Sequence, residues 1–506
     1  MLQMRLTKKN LELISSKINK PILLGNQLPE KVLQFGTGVL LRALPDYFIN
    51  KANQEGKFLG SILVVKSTGN QLEDAFSNQN NLYTLCIRGT ENEKEVSENI
   101  ISSSISRVLH ANISWPEILA SAHSPAMQII ISNTTETGIN YTPESIFQFP
   151  PSTFPAKLLS FLYERYKAFS GTINSGMLII PTELIPDNGD RLKSIILQLI
   201  EYNNLGDIFA GWVSYHNTFC NSLVDRIVPG KPHEVLNDIQ ADLGYEDELL
   251  CLTEPYNLWA IEGNEVVERK LEFHQSAKGI VITHDIAHYR ELKLRLLNGS
   301  HTLSCGPAFL LGINTVKDAM LDPLLSSYIS TLLFGELAKA IPYTVPINEA
   351  IEYSKSVLDR FRNPYLAHHW LAITNQYTSK LKIRVLPVLL HFYKVFNYTP
   401  SFISFGFAAW IRFMKSKPEG SIFQGEFNGN NYIITDDYAQ LLSEKWASSN
   451  GYAVVKDVLS DIQLWNTDLN QLPGFCKSVQ GYLETIQQKG ISIALHDLCI
   501  ENSISF

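Results

Sequence analysis

The chain has 506 residues, of which 45% are hydrophobic and 18% charged, the composition of an ordinary globular protein with room for two or three cores. Its formal net charge of −8 argues against a general nucleic-acid-binding protein. We find no signal-peptide pattern and no apolar run long enough to span a bilayer, so we expect a cytoplasmic protein without membrane contact. The six cysteines show no Cys-x-x-Cys spacing, which indicates reduced, mostly buried thiols.

The predicted elements divide the chain into two parts. Up to about residue 285, short β-rich runs alternate with helical patterns, as in a parallel α/β sheet, and we predict strands at 32–35, 62–65, 127–131 and 177–180. From about 286 the pattern is mostly helical, with long helices predicted over 315–340 and 381–396. A hairpin is predicted over 425–435, because Asn428-Gly429 is a typical turn between two short β-prone runs.

The first predicted strand ends in a glycine-containing turn, Gly36-Thr37-Gly38, before a helical pattern over 44–50. Glycines at such a turn let the backbone approach a pyrophosphate, and the helix that follows supplies N–H donors. The third glycine of the usual fingerprint is replaced by Leu41. In this context a nucleotide site and an ordinary turn are equally compatible with the sequence.

The second predicted strand ends in Lys66-Ser67-Thr68. An acidic residue at this position would bind the ribose 2′-hydroxyl of NAD, whereas a lysine can accommodate the 2′-phosphate of NADP. The residues alone therefore leave the choice between NAD and NADP open.

Two further segments carry polar residues in apolar surroundings. Residues 132–137 follow a strand, where ligands bind in doubly wound sheets, although Thr135 or Thr137 can also be a helix cap. Asp225 and Arg226 are adjacent within the apolar stretch 219–229. Because buried charges are usually paired, a mutual pairing, separate partners and a catalytic role all remain open.

The segment Lys293 to His301 is the most informative one for chemistry. On an α-helix Asn298 lies about 140° and His301 about 80° around from Lys293, so the three side chains share one face. Carbonyl reduction needs a group that exchanges a proton with the oxygen, a hydrogen-bond donor to that oxygen, and an orienting group. The alternative is a solvated polar helix face.

A metal site is weighed against this interpretation. His284 and His288 have one-turn helical spacing, but neither a suitably placed glutamate nor a third ligand accompanies them, so no metal is expected. The pairs His368-His369 and Asp436-Asp437 are interpreted as surface or packing positions.

Taken together, these motifs resemble the long-chain polyol dehydrogenase (mannitol dehydrogenase) family, and within it the tagaturonate reductases, also called altronate oxidoreductases. The likeness follows the family's order over nearly the whole chain. It is carried by the segments 34–42, 132–136, 219–229, 293–302, 360–364 and 380–387.

The resemblance implies a Rossmann-type doubly wound α/β domain over residues 1–285. A mostly α-helical substrate-binding domain over 286–506 would follow, with the active site in the cleft between the two. It implies NAD (NADH) as the cofactor and a small sugar acid as the substrate, whereas the oligomeric state stays open.

The family's functional residues carry over by motif. Lys293 would be the general acid/base, Asn298 would polarise the reacting oxygen, His301 would orient the substrate, and Asp225 would lie near both. Lys380 matches a lysine at the substrate end of the site. The implied cofactor-binding residues are Phe35, Gly36, Thr37, Gly38, Arg42, Lys66, Ser67, Asn133 and Thr134.

Two positions depart from the pattern of the polyol-oxidising relatives. Glu183-Leu184 stands where they have an Asp-Asn pair whose Asn binds the reacting oxygen, and Ala372 stands where they have an arginine. Contacts to the far end of the substrate must therefore differ from those in mannitol enzymes.

The expected function is the reversible reduction of tagaturonate to altronate with NADH in hexuronate catabolism. The alternatives are a fructuronate/mannonate enzyme, a mannitol-type polyol dehydrogenase, and a catalytically silent nucleotide-binding protein.

Overall fold

The computed structural model describes residues 4–22, 28–67, 74–134, 138–232, 236–449 and 453–502. The chain forms two compact units. The first contains residues 1–88 and 95–286, and the second contains residues 89–94 and 287–506. No helix in the described residues is both long and apolar enough to cross a membrane.

The first unit is built on strands. They are β1 (Glu30–Phe35), β2 (Ser61–Lys66), β3 (Tyr83–Glu91), β4 (Lys94–Ser102), β5 (Ile105–His110), β6 (Ile129–Ser132), β7 (Leu178–Pro181), β8 (Thr218–Phe219), β9 (Ser222–Asp225), β10 (Cys251–Thr253), β11 (Leu258–Glu262) and β12 (Ile280–Thr283).

Six of these strands form one parallel sheet in the order β5-β2-β1-β6-β7-β8. Numbered along the sheet-forming strands, this is 3-2-1-4-5-6, the order of a dinucleotide-binding Rossmann fold. The predicted fold class and the four predicted strands are confirmed. Two small sheets, β10-β3-β4 and β12-β11-β9, were not predicted.

The helices of the first unit follow the same alternation. They are α1 (Val39–Ala43), α2 (Pro45–Gln54), α3 (Ala75–Asn78), α4 (Ala111–Ser121), α5 (Phe154–Ala168), α6 (Asn188–Tyr202), α7 (Asp207–His216), α8 (Leu236–Leu243) and α9 (Glu265–Lys270), with 3₁₀ turns at Lys8–Leu13, Ile173–Ser175 and Glu272–Ser276.

The central sheet is buried on both faces, because successive strand residues alternate between two apolar cores. Leu33 of β1 belongs to the core that contains Trp115, Phe161 and Trp212 of helices α4, α5 and α7. The neighbouring Val32 belongs to the opposite core. The near-continuous apolar runs from which the strands were predicted follow from this double burial.

The second unit is mostly helical. It contains α10 (Ala287–Leu292), α11 (Asn298–Leu310), α12 (Val316–Leu321), α13 (Pro323–Thr331), α14 (Ile347–Phe361), α15 (Trp370–Ile373), α16 (Tyr377–Lys380), α17 (Leu386–Val395), α18 (Ser401–Phe413), α19 (Ala439–Ser448), α20 (Ala453–Leu459), α21 (Ile462–Trp465), α22 (Phe475–Lys489) and α23 (Ile491–Glu501), π turns at Lys293–Leu297, Leu332–Leu337 and Leu381–Val385, a 3₁₀ turn at Leu469–Gln471, and strands β13 (Ser416–Glu419), β14 (Ile422–Phe427) and β15 (Asn430–Ile434).

The predicted continuous helix over 315–340 is wrong. The Thr315 hydroxyl accepts a hydrogen bond from Asp318 N and caps α12, and the Asp322 carboxylate caps α13, whose first residue is Pro323. Two helix starts therefore interrupt the apolar pattern. The predicted hairpin is confirmed, with Asn428 and Gly429 both at positive φ between antiparallel β14 and β15.

Candidate active site

The turn after β1 contains the two glycines that the sequence singled out. Gly36 has a φ of +121°, and a Cβ there would lie 2.9 Å from the Asn133 carbonyl oxygen, so a side chain is excluded. A Cβ on Gly38 would meet no atom within 4 Å. Phe35 is buried and Thr37 is half-buried. The turn thus presents open space in front of Gly38, as the approach of a pyrophosphate requires.

Arg42 is buried one turn into α1. Its guanidinium donates to the Leu249 carbonyl and lies 5.5 Å from the centre of the Tyr83 ring and 5.9 Å from that of Phe76. These partners hold α1 against the core of the first unit. The predicted contact between Arg42 and the cofactor stays a prediction, and the partners observed for Arg42 do not support it.

A buried amide–carboxyl pair supports the glycine turn. Gln34 Nε2 donates to the Gly36 carbonyl at 3.3 Å and to Asp46 Oδ2 at 3.4 Å. Burial raises the pKa of Asp46 to about 8, and the Gln34 hydrogen bond and the Arg42 charge lower it only in part. Asp46 is therefore mostly protonated at neutral pH.

Lys66, at the end of β2, forms an ion pair with Asp74, with 2.8 Å between Nζ and Oδ2. The same carboxylate lies 3.5 Å from His110 Nε2. Ser67 is exposed, and Thr68 lies outside the described residues. Lys66, the residue that left the choice between NAD and NADP open, is therefore paired with a carboxylate.

The polar residues after β6 are tied to the end of β7. Asn133 Nδ2 donates to Thr182 at 3.0–3.1 Å, to both its carbonyl and its hydroxyl oxygen. Glu183 is buried and accepts from Thr134 N and Oγ1, each at 2.9 Å, and from Ser132 Oγ at 3.1 Å. Residues 135–137, including the two proposed caps, lie outside the described part of the chain. Glu183, one of the two departures from the family pattern, therefore has a structural role at these strand ends.

The Asn-Ser pair that opens the Asp225 motif is structural. Asn221 Oδ1 accepts from Gly189 N and Asp190 N at the first turn of α6. Ser222 N donates to Asn188 Oδ1 at 2.9 Å. The motif thereby fastens the start of β9 to α6.

Asp225 is buried at the end of β9, and the neighbouring Arg226 has partners of its own. The Arg226 guanidinium donates to the carbonyls of Glu254 and Ala43. The sequence left open whether Asp225 and Arg226 pair with each other or have separate partners, and Arg226 has partners other than Asp225.

The segment from Lys293 to His301 is not one regular α-helix. Residues Lys293–Leu297 form a π turn, in which Asn298 N donates to the Lys293 carbonyl, and α11 begins at Asn298. The offset of about 140° expected between Lys293 and Asn298 is therefore wrong, because a π turn takes more residues than a turn of α-helix. Asn298 lies about one turn above Lys293, and both residues are half-buried.

His301 is buried in an aromatic environment. Its ring stacks on Phe361 at 4.3 Å between centroids and meets the edge of the His368 ring at 5.2 Å. Partial burial, followed by the charges of His369 and Lys380, lowers the pKa of His368. His368, interpreted from the sequence as a surface or packing residue, is thus the immediate neighbour of the proposed orienting histidine.

Two cations lie beside this group. Lys380 Nζ donates to the Ile373 carbonyl at 2.8 Å, and Arg384 Nη1 donates to Thr302 Oγ1 at 3.2 Å. Burial lowers the pKa of both groups. For Lys380 the charge of Arg384 lowers the pKa further, and the charge of Asp436, beyond ion-pair distance, opposes this. Across the described ranges neither cation forms an ion pair with a carboxylate. Partly buried cations without a carboxylate partner are suited to an anionic ligand.

Three other cations in the segments that carry the family resemblance have different surroundings. Lys382 donates to the Gln463 carbonyl at 3.2 Å and Arg362 lies 3.8 Å from Asp359, whereas Arg360 is buried. Lys380 and Arg384 are therefore the cations that the structure brings next to the His301 helix.

The two histidines with one-turn spacing, His284 and His288, have different surroundings. His284 is exposed, and His288 Nε2 lies 2.8 Å from Glu349 Oε2. The described residues contain no group of three or more His, Cys, Asp or Glu side chains placed to hold a metal ion. All six cysteines are free, and five of them are buried.

Two family models match the chain, one for each unit. The mannitol dehydrogenase Rossmann domain matches residues 30–275, and the mannitol dehydrogenase C-terminal domain matches residues 285–487. The chain belongs to the mannitol dehydrogenase family. It is thus a dehydrogenase by family, as the motifs predicted.

Relatives match over nearly their full length. The chain is 36% identical over 480 residues to an altronate oxidoreductase of Bacillus subtilis (strain 168). The aligned region covers 94% of this chain and 96% of that protein. An altronate oxidoreductase of Shigella flexneri is 34% identical over 484 residues, covering 94% of this chain and 98% of that protein.

Solved structures share the fold at lower identity. Pseudomonas fluorescens mannitol 2-dehydrogenase, in a ternary complex with NAD and D-mannitol, has a TM-score of 0.68 at 22% identity and covers 98% of this chain and 99% of its own. A D-sorbitol dehydrogenase in substrate-free form has a TM-score of 0.79 at 19% identity, covering 97% and 100%.

The structure adds residues that the sequence argument missed or passed over. Asp74 was missed, although Asp74 and Ser77 have the spacing of a capping box, which is a recognisable signal. Arg384 lies in the segment 380–387 that carries the family resemblance, but the sequence assigned it no role in the site. His368 gave no signal, since its contact with His301 joins positions far apart in the sequence.

Proposed function

We propose that this chain is an NAD-dependent oxidoreductase that interconverts tagaturonate and altronate, a step of hexuronate catabolism. The naming of the full-length relatives supports the substrate class. The observation that carries the proposal is the position of Lys380 and Arg384. Both are cationic, lack a carboxylate partner in the described residues, and lie beside the helix that bears Asn298 and His301.

A substrate carboxylate is the partner that these cations need. In an acidic protein, general surface attraction does not concentrate an anion, so a local cationic site must. A lysine and an arginine together can bind a carboxylate through charged hydrogen bonds. A neutral polyol would leave Arg384 without a carboxylate and Lys380 with only the more distant charge of Asp436.

The proton-transfer group in this proposal is Lys293. In the reductive direction, Lys293 Nζ gives a proton to the ketone oxygen as the C=O bond becomes a C–O–H group, and in the oxidative direction it takes the alcohol proton back. Asn298 donates to the same oxygen, and the π turn stacks it above Lys293. Asp225 is included in the catalytic set on the resemblance alone.

His301 and its neighbours orient the substrate in this proposal. Phe361 supports one face of the imidazole, so the ring is fixed before substrate binds. The preorganised ring can hold a substrate hydroxyl without an additional ordering cost. Thr302, one residue on, holds Arg384 by its hydroxyl and links the cationic end to the same helix.

The residues present fit a dinucleotide. It would lie at Phe35, Gly36, Thr37 and Gly38, where a Cβ is excluded at one glycine and open space adjoins the other. Asn133 and Thr134 lie at the end of the neighbouring strand, and Lys66 and Ser67 at the ribose end. When bound as NADH, the dinucleotide supplies the hydride for the ketone carbon.

A panel of substrates tests the proposal. Purified protein is assayed with NADH or NADPH and with tagaturonate, fructuronate, fructose and fructose phosphate. We expect the highest kcat/KM with tagaturonate and NADH. A higher kcat/KM with fructuronate or fructose would select one of the enzymatic alternatives, and NADH binding without turnover of any substrate would select the silent nucleotide-binding protein.

A further inference from the structure

The end of β2 carries a fixed charge pair instead of a single lysine. Asp74 Oδ1 accepts from Phe76 N at 3.0 Å and Ser77 N at 3.3 Å, which caps α3 and fixes the carboxylate. The second oxygen, Oδ2, lies 2.8 Å from Lys66 Nζ. The Lys66 ammonium is thus held by a carboxylate that cannot turn away without uncapping α3.

His110 completes this cluster from the adjacent strand. It pairs in register with Lys66, and its Nε2 lies 3.5 Å from Asp74 Oδ2. Burial raises the pKa of Asp74, but hydrogen bonds from Lys66, Ser77 and Phe76 outweigh it, so the pKa lies below its ordinary value. Asp74 is therefore ionised at neutral pH, and the Lys66–Asp74 pair has no net charge.

The Lys66–Asp74 pair lies at the carboxyl end of β2, the second strand of the sheet. In a sheet of this strand order, the carboxyl end of the second strand lies beside the adenosine ribose of a bound dinucleotide. NADP carries a doubly charged 2′-phosphate there, and NAD carries a hydroxyl. A lysine alone would favour the phosphate, but a lysine already paired with a fixed carboxylate does not.

We propose that Asp74 is the residue that selects NAD over NADP, by holding the Lys66 ammonium so that it cannot bind a 2′-phosphate. The inference rests on the dinucleotide of the proposed function and is independent of the sugar substrate. In other dinucleotide-binding folds, an acidic residue at the strand end itself selects NAD. Here Asp74, eight residues after Lys66, has that role.

Calorimetric binding of NAD⁺ and NADP⁺ to the protein without substrate tests this role. Asp74→Asn removes the charge and keeps a good helix cap. We expect NADP⁺ affinity to rise about ten- to a hundredfold, the range of one charged hydrogen bond, while NAD⁺ affinity changes less than about threefold. In Asp74→Asn combined with Lys66→Met, the gain for NADP⁺ should disappear, because the freed lysine is its source.

Asp461→Asn is the matched control. Asp461 also caps a helix and also binds a lysine, with 2.8 Å between Lys445 Nζ and its Oδ2, but it belongs to the second unit. Its replacement should leave both affinities unchanged. An unchanged NADP⁺-to-NAD⁺ affinity ratio in Asp74→Asn, or a gain that persists without Lys66, would overturn the inference. If the unmodified protein binds neither dinucleotide, the proposed function fails instead.

Discussion

Arg295 donates a hydrogen bond to the main-chain carbonyl of Arg384 at 3.1 Å. It also donates to the Ile383 carbonyl, and its guanidinium is paired with Glu291 at 2.8 Å. Arg295 belongs to the π turn that begins at Lys293, and Ile383 and Arg384 belong to the π turn that follows Lys380. One buried side chain therefore joins the turn that bears the proposed proton donor to the turn that bears the proposed carboxylate-binding arginine.

Replacing Arg295 by Met should destabilise the protein and misplace the two turns. The change leaves the partly buried Glu291 carboxylate and two carbonyls without their donor, which costs about 1–3 kcal/mol. We expect the free energy of unfolding to fall by about this amount in urea titrations. In protein that remains folded, kcat should fall while dinucleotide affinity is kept, and Arg295→Lys should restore part of kcat.

The exposed pair Lys355–Glu352 provides the control, because its side chains are 60% and 70% exposed. Lys355→Met should lower the free energy of unfolding by less than about 1 kcal/mol. An equal loss of unfolding free energy in Arg295→Met and Lys355→Met would mean that the Arg295–Glu291 pair contributes no more than a surface ion pair.

Lys293→Ala should remove the proton-transfer group and leave the fold unchanged. Lys293 is half-buried, so its loss opens no large cavity. We expect kcat to fall about 10²–10⁴-fold, the usual range for an acid/base group, with Tm and NADH affinity unchanged. Lys382→Ala, on the third π turn, is the control. A variant that keeps more than about a tenth of kcat under chemistry-limited conditions would exclude Lys293 from this role.

Asp46 should make stability depend on pH. Its pKa is about 8 in the fold and about 3.9 in an unfolded chain, so between these values the folded state holds a proton that the unfolded state has released. The free energy of unfolding therefore decreases as pH rises, by at most about 1.4 kcal/mol per pH unit from this group. Asp46→Asn keeps a neutral amide beside Gln34 and should remove this slope.

Urea unfolding at about pH 5.5, 7 and 8 measures the effect. The gain in stability of Asp46→Asn over the unmodified protein should increase with pH. Asp242→Asn, which removes an exposed carboxylate of the same unit, is measured alongside as the control for the loss of a surface charge. Parallel pH profiles for the unmodified protein and Asp46→Asn would show that Asp46 is ionised in the fold.

The sheet could be predicted because its strands are buried on both faces. Val32 and Leu33 belong to opposite cores, so the strand appears in the sequence as a short apolar run without alternation. The long helix over 315–340 failed because its apolar periodicity continues across Asp322-Pro323, a cap followed by a helix-starting proline. That local signal outweighs the periodicity.

The proposed catalytic segment was found by residue type, but its geometry could not be predicted. A π turn differs from an α-helix by one residue per turn, and Arg295 holds this turn through contacts with residues almost ninety positions away. The Lys66–Asp74 pair escaped notice for a related reason. The strand end was assessed without the helix cap eight residues later that neutralises the lysine.

The ratio of kcat/KM for tagaturonate to kcat/KM for fructose tests the central claim most directly, measured in the unmodified protein, Lys380→Met and Arg384→Met. Losing one charged hydrogen bond to the carboxylate costs about ten- to a hundredfold in binding. We predict that the ratio strongly favours tagaturonate in the unmodified protein and falls about ten- to a hundredfold in each variant, but not in Lys382→Met. An unchanged ratio in both Lys380→Met and Arg384→Met would contradict the claim that these cations bind a substrate carboxylate.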